Sequence, residues 1–233
     1  MATADPRIQR WREELTIIHR DIVTLTHNRR MFREIMKIIQ SNPHLPRTNV
    51  AFGWMIDGYV ALATTAFRRQ VDRDEGVISL ARLLQQIVTS PEVITRTWFV
   101  SQYSEPAIRQ ADKDFDAFDP AGVGFLNPQG VREDLDQLLA AGRETQLFVN
   151  KYVAHRDKDV ALGSAANPPQ VTWGELDRAI DLLGHLLTDY ELLLNQAALV
   201  NVEPIMQTDW QVVFRQPWIA GSDAGSSMHG DGR

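Results

Sequence analysis

Apolar residues recur at intervals of three and four along most of this chain, which is the spacing of one face of an amphipathic helix. The first stripe runs from residue 6 to 41 and comprises Ile8, Trp11, Leu15, Ile18, Ile22, Leu25, Phe32, Ile35, Met36 and Ile39. Pro43 then ends it, because proline cannot continue a helix. The pattern predicts one long helix, or two collinear helices, over residues 6–41.

The same spacing predicts three more long helices. One runs from about Thr48 to Arg73, and another resumes at Val131 and continues to the sequence HRDKD, 155–159. The last begins at Thr172, because Thr172 and Glu175 have the spacing of a capping box, in which each side chain satisfies a free backbone donor.

Shorter elements lie between the second and third of these helices. Ser79 is a natural N-cap for a helix over SLARLLQQIV. Pro91 is tolerated as a first helical residue and predicts a helix over PEVITRTWFVSQY. Residues 105–119 are expected to be helix or ordered loop. The glycines and prolines of 120–130 and of 163–170 indicate irregular segments.

Together these elements predict an all-α protein, an antiparallel four-helix bundle with extra short helices and an irregular C-terminal arm. We assign residues 1–203 to the bundle. The aromatic and β-branched residues of 204–219 predict an extended arm packed on it. Residues 220–233 have little to bury, which predicts a disordered tail.

Composition narrows the class of protein. The 233 residues include no cysteine, so disulfides and thiolate metal sites are excluded. No apolar run reaches the roughly 18 residues that span a bilayer, and the N-terminus is charged, so we expect a soluble, cytoplasmic protein without a membrane partner. The net charge of −6 means that any contact with nucleic acid needs a local basic patch.

The best candidate for chemistry is the segment FVNKYVAHRDKD, 148–159. On a helix, Lys151, His155 and Asp159 share one polar edge, while Tyr152 and Val153 face the bundle. The neighbouring cations Lys151, Arg156 and Lys158 favour the neutral, base form of His155 and offer charge to a phosphate. The alternative is that His155 closes a helix C-terminus, where positive groups meet the helix dipole.

Two other features have a functional and a structural interpretation. Arg68, Arg69 and Arg73 form a basic helix end, or else a salt-bridged one with Asp72 and Asp74. The aromatic residues of the C-terminal arm form a base-stacking platform, or else anchor the arm to a core; they are Trp210, Phe214 and Trp218. The six histidines are scattered, and we predict no metal site and no cofactor.

Three segments in this order resemble the HEPN superfamily, in the branch of bacterial abortive-infection proteins of the AbiU type. They are AFRRQVDRD with SLARLL (66–84), NKYVAHRDK (150–158) and DWQVVFRQPW (209–218), and the resemblance spans about residues 10–219. It implies a helical bundle that commonly dimerises, and in active members a metal-independent ribonuclease site made of an arginine, a polar residue and a histidine. Asn150 fits the polar position and His155 the histidine, whereas Val149 stands where the arginine is expected.

The function implied is that of an RNA-directed effector in phage defence or a toxin–antitoxin-like system, and a candidate metal-independent endoribonuclease. His155 and Asn150 would be catalytic, and Lys151, Arg156, Lys158, Arg69 and Arg68 would bind RNA phosphates. Expected partners are a second copy of the chain, RNA, and a cognate antitoxin or defence-system protein. The alternative is a catalytically inactive dimeric module that binds RNA, nucleotide or a partner protein.

Overall fold

A computed structural model describes residues 5–45, 49–148, 173–203 and 208–215 of the chain. Within these ranges the α-helices are α1 (Pro6–Ser41), α2 (Val50–Val71), α3 (Leu80–Thr89), α4 (Arg96–Ser101), α5 (Ile108–Phe118), α6 (Pro128–Phe148) and α7 (Trp173–Asn195). The described residues contain no β-strand, and their one extended pairing is an isolated bridge between Thr95 and Phe125. The predicted all-α class is therefore confirmed.

Helix α1 is the longest of the described helices and packs against both α2 and α7. Its N-terminus is capped by Asp5, whose carboxylate accepts the backbone N–H of Arg7 at 2.9 Å. The stripe predicted from the sequence faces the core over the first part of the helix, where Ile8, Leu15 and Ile22 are at most 1% exposed. The prediction of a single long helix over 6–41 is confirmed.

The helices on either side run antiparallel to α1. Near the start of α1, Arg12 Nε donates to the carbonyl oxygen of Leu194, near the end of α7, at 2.6 Å. Farther along, Arg29 Nη1 contacts Asp181 Oδ1 at 2.6 Å. On the other side the Phe32 ring stacks on Tyr59 of α2. These registers match the antiparallel bundle predicted from the sequence.

Helices α3 and α6 complete the core. Ser79 caps α3 as predicted, because its Oγ accepts the backbone N–H of Arg82 at 3.0 Å. Four apolar residues of α3 are fully buried, namely Leu80, Leu83, Leu84 and Ile87. Helix α6 passes close to the end of α2, where a Cβ added to Gly142 would lie 3.0 Å from Val71 Cγ1.

The prediction of one continuous helix from Pro91 through Tyr103 is wrong. The chain forms a 3-10 turn over Pro91–Val93 and a separate short helix α4. Between them Thr95 is extended, since it pairs with Phe125 and its Oγ1 caps α4 by accepting the N–H of Trp98 at 3.1 Å. A long-range contact thus overrides the local helical pattern.

The glycine-rich turn that supplies Phe125 is organised by a buried carboxylate. Asp119 is 2% exposed and accepts the backbone N–H groups of Val123 at 2.9 Å and Gly124 at 2.8 Å. Gly122 and Gly124 have φ of 68° and 91°, a backbone conformation that favours glycine. The predicted irregular segment is confirmed as far as Asn127, and α6 begins at Pro128 rather than Val131.

The far ends of α1 and α2 form a helical hairpin that is much less buried than the rest of the bundle. We call residues 31–41 of α1 and 50–62 of α2 the distal hairpin. Of its residues only Tyr59 is buried, and Trp54 is 75% exposed. By length and composition α2 could cross a membrane, with 22% of its most apolar window buried here, but core helices of soluble proteins pass the same test.

Residues 204–233 form a second compact unit. Its described part is a 3-10 helix over Trp210–Arg215, so the expectation of an extended arm is wrong there. Local contacts explain the helical turn: Arg215 Nη1 contacts Asp209 Oδ2 at 2.5 Å, and the Trp210 and Phe214 rings meet edge to face at 5.9 Å. Packing of the arm on the bundle stays a prediction, and the expected disordered tail, 220–233, lies outside the described residues.

Candidate functional site

The predicted catalytic segment begins just beyond the described part of α6. The helix is described as far as Phe148. The residues predicted to cleave or bind RNA from this segment lie outside the described ranges; they are Asn150, Lys151, His155, Arg156 and Lys158. The capping-box residue Thr172 and the linker 163–170 also lie outside them. The predicted roles of these residues stay predictions.

The two basic residues predicted from α2 are described, and they lie in its last turn. Arg69 is exposed, and its Nη1 contacts Asp21 Oδ2 of α1 at 3.1 Å. The interpretation of a salt-bridged helix end is therefore confirmed for Arg69, although its partner lies on another helix and is neither Asp72 nor Asp74. Arg68 is partly exposed and makes no ion pair with any residue the structure describes.

The acidic residues that follow α2 organise the turn into α3. The Asp72 carboxylate accepts the backbone N–H of Asp74 at 3.0 Å, and its main-chain carbonyl accepts a hydrogen bond from Ser79 Oγ. The amide oxygen of Gln70, which is 1% exposed, accepts the N–H of Leu80 at 3.1 Å. These contacts fix the end of α2, and with it the point from which the two arginines project.

The end of α2 also lies against the helix that leads to the predicted catalytic segment. Val71 follows Arg69 by two residues and touches Gly142, which has no side chain to keep the two helices apart. Thr145, one turn farther along α6, is 3% exposed. The fold therefore brings the basic end of α2 next to the last described turns of α6.

A second group of residues, not singled out from the sequence, comes together about three turns farther along α1 than Asp21. The rings of Phe32, Tyr59 and Trp173 are nearly parallel: Phe32 and Tyr59 have centroids 4.1 Å apart at 4°, and Phe32 and Trp173 are 5.4 Å apart at 20°. We call these three rings the aromatic wall. It borders a cavity of about 450 Å³ that is also lined by Arg33, Lys37 and other side chains.

Of the polar groups around the aromatic wall, Arg33 has an ion-pair partner, whereas the Tyr59 hydroxyl has no hydrogen-bond partner among the described residues. Arg33 Nη2 contacts Asp177 Oδ2 at 2.6 Å. The Tyr59 hydroxyl is buried and has no hydrogen-bond partner among the described residues. Burial, with a further contribution from Asp177, raises the pKa of Tyr59 to about 12, so the hydroxyl keeps its proton at neutral pH.

The sequence carries little signal for this group. Phe32 belongs to the apolar stripe of α1, and Tyr59 lies within the helix predicted from about Thr48 to Arg73. Trp173 follows the predicted cap of α7 and carries no pattern of its own. Only the antiparallel packing of three helices brings the rings together, and periodicity within one helix cannot show that.

Another cavity, of about 590 Å³, lies between α5, α6 and α7 and is acidic. Tyr190 donates its hydroxyl hydrogen to Asp134 Oδ2 at 3.0 Å. Burial raises the pKa of both Asp134 and Asp189. The carboxylates make this cavity unsuited to RNA phosphates, and the described residues contain no cluster of histidine and carboxylate side chains that could hold a metal ion.

The fold defines an all-α helical-bundle protein. A model of the family HEPN_AbiU2, described as AbiU2, matches residues 8–213, so the chain belongs to this family of abortive-infection HEPN domain proteins. The resemblance drawn from the sequence is confirmed. Comparisons with curated proteins and with solved structures give no match.

Proposed function

We propose that this protein is an RNA-directed effector of phage defence, or of a toxin–antitoxin-like system, and that it cleaves RNA without a metal ion. The observation that carries the proposal is the family match over residues 8–213, which includes the segment with Asn150 and His155 at the spacing of a HEPN site. Arg68, which lies at the end of α2 beside α6 and makes no ion pair with a described residue, supports it, because it adds positive charge next to the helix leading to that segment.

The chemistry assigns a role to each residue. His155 takes the proton of a ribose 2′-hydroxyl, so that the oxygen can attack the adjacent phosphate. The P–O5′ bond breaks as the new bond forms, which leaves a 2′,3′-cyclic phosphate on one product, and the departing 5′-oxygen takes a proton from solvent and leaves as a hydroxyl. Asn150 orients the imidazole or the phosphate. Cations from Lys151, Arg156 and Lys158, with Arg68 and Arg69, stabilise the charge that develops on the phosphate in the transition state.

The proposal includes a symmetric dimer that works in the cytoplasm. An isologous interface repeats each residue, so two copies of the 150–158 segment would form one cleft. RNA and a cognate antitoxin or defence-system protein are the proposed partners. Light scattering of the purified protein should give twice the chain mass of 26.4 kDa. A monomeric mass at micromolar concentration would contradict the shared cleft.

The alternative is an inactive dimeric module that binds RNA, nucleotide or a partner protein. Val149 favours it, since it stands where active relatives carry an arginine, and loss of one transition-state donor typically costs about 10²–10³ in rate. The net charge of −6 also favours it.

The test is cleavage of a single-stranded RNA in the presence of EDTA. We expect slow cleavage by the natural protein and none by His155→Ala, while His185→Ala, which removes an exposed histidine of α7, serves as the matched control. Val149→Arg should raise the rate by about 10²–10³ if it restores the missing cation. RNA binding without cleavage in all variants, including Val149→Arg, would establish the alternative.

A further inference from the structure

The aromatic wall consists of three rings, and it reaches the protein surface at Trp173. Phe32 and Tyr59 stack almost face to face, and Trp173 joins the stack from another helix, with its ring centroid 5.4 Å from that of Phe32 and 6.0 Å from that of Tyr59. Tyr59 is 8% exposed, whereas Trp173 is 48% exposed. A stack of nearly parallel rings with a half-exposed indole can be continued by a planar heteroaromatic ring.

The Tyr59 hydroxyl supplies a polar group without a described partner. It belongs to a side chain more than nine-tenths buried, and its oxygen makes no hydrogen bond to any described residue. A buried hydroxyl without a partner costs free energy, so such groups are nearly always paired. A ligand that offers a hydrogen-bond acceptor or donor at this depth would recover that cost.

Positive charge lies at the border of the same cavity. Arg33 is already held by Asp177 at 2.6 Å. Lys37, one turn farther along α1, is exposed and makes no ion pair within the described part of the chain. An unpaired ammonium group beside an aromatic surface favours a ligand that carries an anionic group next to its ring. The cavity of about 450 Å³ lies within the range typical of small-molecule sites.

We propose that this cavity binds a nucleobase that carries a phosphate. The base stacks on the aromatic wall at Trp173, the Tyr59 hydroxyl forms a hydrogen bond with the edge of the base, and Lys37 binds the phosphate. This chemistry is shared by a free ribonucleotide and by one nucleotide of single-stranded RNA. The assignment to RNA rests on the proposed function, in which this site would hold a base away from the cleavage site.

The experiment measures binding of AMP, adenosine and a short single-stranded oligoadenylate to the full chain by calorimetry. We expect AMP to bind and adenosine to bind about tenfold more weakly, because adenosine lacks the phosphate. Trp173→Leu should weaken binding of AMP by at least about fivefold. Lys37→Gln should weaken the binding of AMP about tenfold and leave the binding of adenosine unchanged. Tyr59→Phe should weaken the binding of both ligands about threefold.

Matched controls separate this site from general effects. Trp54→Leu removes a more exposed indole from the distal hairpin outside the cavity, and Lys113→Gln removes a cation from the acidic cavity. Both should bind AMP like the natural protein. Lys37 is exposed, so its replacement does not threaten the fold, and the proposal can be judged even if Trp173→Leu is unstable.

The outcomes distinguish the two proposals. Binding of AMP and oligoadenylate that depends on Trp173 and Lys37 supports an RNA subsite, even if RNA is never cleaved. Binding of AMP alone supports a site for a free nucleotide. Failure of all three probes to bind, or binding that Trp173→Leu and Lys37→Gln leave unchanged, overturns the site, whether or not His155 cleaves RNA.

Discussion

The packed end of the bundle and the distal hairpin are built from the same two helices, with the same apolar spacing, and yet they differ in burial. In the first part of α1, Ile18 and Ile22 are completely buried. Beyond residue 30, the residues Ile35, Met36 and Ile39 continue the stripe but stay partly exposed. The stripe therefore specifies a helix over its whole length, whereas burial depends on which other helices lie against it.

The difference follows from which helices are long enough to reach each end. Helices α3 and α6 both pack against α2 and against each other. At the distal end the described contacts come from α1, α2 and the first turn of α7, including the aromatic wall. Where only two or three helices pack together, side chains stay partly exposed and cavities remain between the helices.

The largest expected effect compares two aromatic residues of α2. Phe67 is fully buried, so Phe67→Ala should lower the free energy of unfolding by about 3–5 kcal/mol. The protein loses the favourable transfer of the ring out of water, and the cavity left in the core adds a further cost. Trp54 is 75% exposed, so Trp54→Ala should change it by less than about 0.5 kcal/mol. Urea denaturation measures both values.

Of the two variants, Trp54→Ala also tests whether another chain covers the distal hairpin. A loss of more than about 2 kcal/mol on its replacement, at a protein concentration where the chain is a dimer, would mean that another chain covers the distal hairpin. A dependence of this loss on protein concentration would identify the covering surface as a second copy.

A smaller effect compares two glycines at the two ends of the molecule. A Cβ at Gly142 would lie 3.0 Å from Val71 Cγ1, and the β-branched valine has little freedom to move away. Gly142→Ala should therefore destabilise the protein by about 1–2 kcal/mol, since overpacking outweighs the gain in helix propensity. Gly58 has no atom within 4 Å of the added Cβ, so Gly58→Ala should stabilise it by up to about 1 kcal/mol.

The pair of variants is checked by thermal denaturation with a double mutant. Val71→Ala makes room for the new methyl group, so the combined loss of Gly142→Ala and Val71→Ala should be smaller than the sum of the two single losses. Additive losses would mean that the close approach of α2 and α6 is not what Gly142 permits.

The sequence predicted the helices well because their signals are local. The stripe of α1, the cap at Ser79 and the glycines of 122–124 each act within a few residues, and each prediction is confirmed. The split between Pro91 and Arg96 was missed because it depends on Phe125, which lies far along the chain. The aromatic wall was missed for the same reason, and the 3-10 turn at 210–215 because local polar and ring contacts outweighed β-branched composition.

The candidate catalytic site shows a second limit of prediction from sequence. Asn150 and His155 are predicted from the residues of the 148–159 segment and from the resemblance, and their roles stay predictions because both lie outside the described residues. Arg69 was placed on the correct helix end, but its partner Asp21 was not predicted, since no pattern within α2 indicates a residue of α1.

The smallest expected effect compares two helix caps, one in each region. Ser79 is 1% exposed, and its hydroxyl both accepts the N–H of Arg82 and donates to the carbonyl of Asp72. Ser79→Ala should cost about 1 kcal/mol or slightly more, because the partly buried carbonyl of Asp72 also loses its partner. Asn49 caps α2 by accepting the N–H of Ala51 at 2.8 Å, but it is exposed, and water can replace it. Asn49→Ala should therefore cost about 0.5 kcal/mol. If urea denaturation gave equal losses for the two caps, burial would not be what separates the two ends of the bundle.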